Sequence, residues 1–214
     1  DWNHQKNIED AITYIKNKAF NLQKLFVINL SSGMHLGAHD GTSHLESIVD
    51  SVPVYGGQVV ASAGNQESAH IHAQGELTTG QAITHTFNVP SYTPNSGSNN
   101  DFIGFDMWYN GADSISVTVI SPNGHSFNKD TGEQATGIPT PDGAILMKNA
   151  SEGVDTNNFD NECLFLIKDY DENSPPASGE WKIRVTGIDI KTTGAYDIWL
   201  YNSQVGAFST ACFS

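Results

Sequence analysis

Several stretches of the chain carry residue types that could do chemistry. The segment Val59-Val60-Ala61-Ser62-Ala63-Gly64-Asn65 ends an apolar run on a carboxamide preceded by glycine. A preplaced side-chain amide can donate to the oxyanion that builds on a peptide carbonyl under nucleophilic attack, and Gly64 lets the backbone approach closely. His39 beside Asp40, followed by Gly41-Thr42-Ser43, has the residue types of a base and a nucleophile. Sequence neighbours rarely point into one site, and triad members come from separate elements. Ser43 is also followed three residues later by Glu46, the pattern of a helix capping box. We therefore read Ser43 as a cap and assign no catalysis to His39.

Three further groups have a structural reading that outweighs the chemical one. His70 and His72 would share a face of a strand, but zinc takes three or four ligands and no third is fixed nearby. They read as polar residues on a linker between domains, and no metal is required. Asp155, Asp160 and Glu162, with Asn157 and Asn158, gather hard oxygens compatible with calcium. Asp169, Asp171 and Glu172 form a second acidic group. Solvated acidic loops are the usual meaning of such runs, so calcium is kept only as a weak candidate. Tyr92, Trp108, Tyr109, Trp181, Trp199 and Tyr201 could stack on sugars, but aromatic residues at alternating strand positions more often fill a core.

The elements that must position these residues change in kind near residue 75. Before it, Asn7 is expected to cap a helix carrying Ile8, Ala11, Ile12, Ile15 and Ala19 at helical spacing. Residues 25–30 form an apolar run expected to be a strand buried on both faces. A second helix with Leu45, Ile48, Val49 and Val52 follows Ser43, and residues 58–62 supply another short strand. Strand, helix, strand within this span predicts a βαβ unit with parallel strands and a right-handed crossover. Two strands alone leave both sheet edges unpaired, which offers a surface for association with a second copy. Beyond residue 80 the helical pattern stops. Strands are expected at 83–89, 102–109, 114–120, 144–148, 163–168, 181–186 and 195–201, punctuated by Pro-, Asn- and Gly-rich turns. Seven or eight strands with no helices between them read as a β-sandwich, a jelly roll. The fold expected is therefore a partial α/β piece with two parallel strands and two helices, followed by an all-β sandwich.

Bulk properties exclude some functions. A net charge of −14 argues against nucleic acid and against anionic lipid surfaces. No apolar run approaches the roughly 20 residues that span a membrane. Two cysteines, Cys163 and Cys212, make no disulfide framework; they read as small buried hydrophobes, with a single bridge between them as the alternative.

Val27-Ile28-Asn29-Leu30-Ser31-Ser32-Gly33 and Val59-Val60-Ala61-Ser62-Ala63-Gly64-Asn65 together resemble two adjacent segments of the subtilisin-like serine proteases. The resemblance implies that the first segment walls the substrate cleft and that Asn65 completes the oxyanion hole. It also implies that Ser31, Ser32, Gly33, Ala63 and Gly64 bind substrate. The intervening Gly37-Ala38-His39-Asp40-Gly41-Thr42-Ser43 resembles a narrower branch, including spore-germination proteases. Its members carry a jelly roll between the oxyanion Asn and the nucleophilic Ser. The run Gly179-Glu180-Trp181-Lys182-Ile183-Arg184-Val185 is similar to late strands of sandwich domains that accompany such proteases. The implied organisation is a partial catalytic domain over 1–75, an inserted sandwich over 76–203, and a return segment over 204–214. Family order is Asp, His, oxyanion Asn, Ser, and this chain lacks a Gly-Thr-Ser-Met-Ala-type segment after Asn65. The expectation is an internal piece of a protease, inactive alone and needing no cofactor. Its expected partners are a peptide substrate and the rest of its own catalytic domain. The alternatives are a binding module for glycan or protein, or a catalytically dead relative used in signalling.

Overall fold

The computed structural model describes residues 2–64, 69–171, 173–205 and 211–214. The chain divides into two compact units, Asp1–Asn65 and Gln66–Ser214. The boundary thus lies earlier than the expected residue 75, because residues 72–75 pair into the second unit.

The first unit contains helix α1 (Trp2–Leu22), strand β1 (Phe26–Leu30), helix α2 (His44–Asp50), a 3₁₀ turn (Val52–Tyr55) and strand β2 (Gly57–Ala61). Helix α1 begins before Asn7, so Asn7 is an interior residue and not a cap. Nothing in residues 2–6 breaks a helix, and i,i+4 pairs support its first turns. Gln5 Nε2 donates to Glu9 Oε1 at 3.1 Å, and Lys6 Nζ donates to Asp10 Oδ1 at 2.5 Å. Helix α2 starts as its sequence requires. Glu46 N donates to Ser43 Oγ at 3.3 Å and Ser43 N donates to Glu46 Oε2 at 3.0 Å, the reciprocal pair of a capping box.

Strands β1 and β2 pair in parallel, from Phe26 opposite Gly57 to Leu30 opposite Ala61. The Phe26 ring lies where a Cβ on residue 57 would sit, 2.3 Å away, so only glycine opens β2 without displacing it. Ile12, Ile28 and Val52 form a small core, with Leu45, Ile48, Val49 and Val59 packed around it. The opposite face of the sheet is bare: Val27 is 66% exposed and Val60 56%. This corrects the expectation of burial on both faces. The helices supplied by this unit cover one side only, whereas parallel sheets are ordinarily covered on both.

The second unit is all β. Its strands are β3 (His72–Glu76), β4 (Ala82–Val89), β5 (Phe102–Asn110), β6 (Ser114–Ile120), β7 (Ser126–Asp130) and β8 (Glu133–Thr140), then β9 (Gly143–Asn149), β10 (Asp160–Lys168), β11 (Gly179–Asp189), β12 (Ala195–Gln204) and β13 (Cys212–Phe213). One sheet has the order β3-β12-β5-β10-β9-β8 and the other β13-β4-β11-β6-β7. Removing the hairpin β8–β9 and the short β13 leaves two four-stranded sheets, and the chain crosses between them at every step except the β6–β7 hairpin, the order of a jelly roll. Phe87 of one sheet meets Phe105 of the other at 4.8 Å between ring centres, and Phe105 stacks on Phe165 at 4.9 Å. One core, including Trp181, Ile183, Val117 and Ile198, runs between the sheets. The expected return segment 204–214 ends inside this unit, since Cys212 and Phe213 pair with Asn88 and Phe87 of β4. Cys163 and Cys212 are both free thiols.

Candidate functional site

In parallel α/β sheets, ligands bind outside the carboxyl ends of the strands, where the loops open. The carboxyl ends of β1 and β2 stand side by side, and their pairing continues one bond past the strands. Ser62 N donates to Leu30 O at 3.1 Å. Beyond that bond both chains leave the sheet as irregular segments. Ser31 and Gly33 are exposed and Ser32 is half-buried; Ala63 and Gly64 are exposed. Asn29 Nδ2 donates to Ser31 Oγ at 2.9 Å, tying the end of β1 to the first residue after it. A Cβ added to Gly33 would meet nothing within 4 Å, so the space beside its backbone is open. Gly64 has φ +80°, a left-handed conformation that favours glycine. Asn65 lies outside the described residues.

The loop after β1 borders a cavity of 180 Å³ lined by Gly33, Met34, Leu36, His39, Leu45 and Glu46 among others. His35 and His39 stack with centroids 6.4 Å apart, and burial followed by His39 holds the His35 pKa below its ordinary value. Asp40 is engaged by Thr42, whose backbone N and Oγ1 donate to its Oδ1 at 2.9 and 2.6 Å. That turn and the Ser43 cap occupy Asp40 and Ser43 structurally. The mimic of a base and nucleophile in 39–43 is therefore loop architecture.

His72 belongs to β3 and not to a linker. Its ring stacks on Trp199 at 3.9 Å and its Nε2 lies 2.7 Å from Asp197 Oδ1. Among the described residues no group of three His, Cys, Asp or Glu is placed to hold a metal. Asp155 instead accepts from Asn157 N at 2.6 Å, and its backbone N donates to Asp160 O at 2.8 Å, closing a turn. Two of the aromatic candidates, Tyr109 and Trp181, are buried in the core. Trp108, Trp199 and Tyr201 share the outer face of the six-stranded sheet, as their register with Asp197, Asp106 and the Gly104 region requires. Tyr201 lies over Gly104, and His72 covers one face of Trp199, leaving no flat row of exposed rings.

Glu162 stands on that outer face beside Asp106. Burial, then the charge of Asp106 and a hydrogen bond with it, push the Glu162 carboxyl up to about 8. An acid raised on folding binds more protons in the folded state, so its contribution to stability declines as pH rises. The window runs from the ordinary value of 4.5 up to about 8. Urea midpoints of the wild type should therefore fall between pH 5 and pH 8, and Glu162→Gln should flatten that decline. A Glu162→Gln profile parallel to wild type would refute the assignment.

No protein-family model matches the chain, and neither does any curated protein sequence. Among solved structures, the chain is similar to the CspB protease of Clostridium perfringens. The likeness has a TM-score of 0.75 at 20% identity and covers 98% of this chain and 41% of that one. It is a likeness of fold, and the chain spans less than half the length of the protease it matches.

Proposed function

We propose that this chain is part of a subtilisin-like serine endopeptidase, to which it contributes the oxyanion-hole donor and one wall of the substrate cleft. The observation that carries this reading is the parallel, in-register pairing of β1 and β2, with their carboxyl ends abreast and open. Asn65 follows Gly64 in the sequence, four residues after the last residue of β2. Its amide would donate to the charge developing on the scissile carbonyl oxygen. Ser31, Ser32 and Gly33 would offer their backbone to the substrate strand, with Ala63 and Gly64 on the other side. The Asp, His and Ser of the triad come from other parts of the parent protein. The rest of that catalytic domain covers the bare face around Val27 and Val60, which supplies the second helical layer that a parallel sheet needs. The jelly roll is the insertion between Asn65 and the nucleophile, and the fold likeness to CspB protease supports that arrangement.

A fluorophosphonate probe, which phosphonylates activated serines with loss of fluoride, tests the reading. We expect the folded parent protein to be labelled at one serine beyond residue 214, and residues 1–214 alone to remain unlabelled. Absence of labelling in the folded parent would defeat the peptidase reading in favour of a catalytically dead relative. Labelling within 1–214 would show that a nucleophile had been overlooked.

A further inference from the structure

The buried carboxylates of the jelly roll are not all satisfied in the same way. Asp113 receives Lys191 N and Thr192 N on Oδ1, at 2.7 and 3.0 Å, and the Thr192 hydroxyl on Oδ2. Asp142 receives Asn123 Nδ2 on one oxygen and the Ser121 hydroxyl on the other. Both are closed by protein donors. Asp169 is equally buried, at 1% exposure, but only its Oδ1 is served: Asn100 N donates at 2.9 Å and Asp101 N at 3.2 Å. Its Oδ2 is buried with no hydrogen-bond partner. The same is true of Asn100 Oδ1, on the residue whose backbone N–H holds Asp169. The Asn100 amide is oriented by its Nδ2, which donates to Ser96 O at 2.7 Å, so the oxygen is the end left over.

A second carboxylate, Asp101, is also 1% exposed and hydrogen-bonds into the same loop. Asn95 N reaches its Oδ2 at 2.8 Å and Asn95 Nδ2 its Oδ1 at 2.9 Å. Asp169 N closes the nest by donating to Asp101 O at 2.9 Å. Both carboxylates act on Tyr92, whose phenol is pushed up by burial first and then by Asp101 and Asp169. Two buried negative charges are thus brought together by the loop 95–101 and the end of β10. The nearby Lys168 is spent elsewhere, its Nζ donating to Asn99 Oδ1 at 2.5 Å. Burying like charges beside orphaned oxygens is costly unless a cation shares the site.

We propose that Asp169 Oδ2 and Asn100 Oδ1, with the Asp101 carboxylate behind them, form a calcium site of the jelly roll. The donors are all hard oxygens from a loop and a strand end, a set that suits calcium's large and adaptable shell. Water and backbone carbonyls complete that shell in calcium sites generally. The site is separate from the acidic loop at 155–162 and independent of the peptidase reading.

The test is a calcium titration of the full 214-residue chain after chelation, read by thermal midpoint and by terbium luminescence. In wild type and in the control Asp155→Asn, calcium at about a hundredfold excess over Kd should raise the midpoint by about 5 °C or more. Affinity should fall at least about tenfold in Asp169→Asn and in Asn100→Ala, each of which removes one orphaned oxygen from the shell. Asn100 is a half-buried loop residue, so its variant carries the test even if Asp169→Asn fails to fold. The proposal is overturned by the absence of a calcium-dependent shift in wild type. It is equally overturned by unchanged affinity in Asn100→Ala or in folded Asp169→Asn.

Discussion

On the peptidase reading proposed above, replacing Asn65 by Ala in the full-length protein is expected to lower kcat by about 10²–10³, the loss found when subtilisin is deprived of its oxyanion-hole donor. The reasoning is one of differential binding. The ground-state carbonyl makes little demand on the amide, whereas the tetrahedral intermediate places a full charge beside it. An interaction made only in the transition state reduces kcat and kcat/KM equally and leaves KM near its original value. Asn65→Asp should lose more, because a carboxylate cannot donate and repels the oxyanion. The thermal midpoint of both variants should stay near wild type, which separates lost catalysis from lost fold. A KM rise with kcat intact would instead make residue 65 a ground-state binding contact, and the oxyanion assignment would fail.

Much of this architecture is legible in the residues, and what is not legible follows a physical pattern. The strands that β-rich runs between turn clusters predict, from 83–89 through 195–201, are interior strands of the two sheets. Those it misses are β3, β8, β7 and β13, which are the four outermost strands. An edge strand packs on one neighbour and is often kept polar or interrupted to discourage further pairing. Here β7 reads Ser-Phe-Asn-Lys-Asp, and β8 contains Gly137 and Pro139 with a register shift between Ala135 and Ile138. Neither offers the apolar periodicity on which such a reading depends. The opposite error occurs at β1, where a run that is apolar except for Asn29 suggests two buried faces although Val27 is exposed. The helices of the first unit pack on the Ile28 face of the strand pair and leave the Val27 and Val60 face exposed. Ser43 and Glu46 were readable because a capping box is local chemistry. The calcium nest was not, since Asn100 and Asp169 are distant in sequence and meet only when β5 and β10 pair.

Trp181→Ala should be the most damaging substitution in the jelly roll, destabilising it by about 3–5 kcal/mol. Trp181 is fully buried on β11, the central strand of the five-stranded sheet. It sits opposite Phe87 in register and stacks against that ring at 6.1 Å and 18°. Phe87 in turn joins Phe105 of the facing sheet, so the indole supports the contact that holds the two layers together. Truncation removes apolar burial and leaves a cavity that paired strands on both sides cannot readily collapse into. It also removes the donor to Ala177 O, which now receives Trp181 Nε1 at 2.8 Å. With a urea m-value of about 2 kcal/mol/M, the expected drop in midpoint is about 1.5–2.5 M. Far-UV circular dichroism is the suitable probe, because the substitution itself changes the fluorescence. Trp181→Phe should cost less, since it keeps most of the ring and forfeits the hydrogen bond. The core of the first unit, Ile12, Ile28 and Val52, shares no member with this cluster. A drop below about 0.5 M, with m unchanged, would mean that the layers do not depend on this side chain.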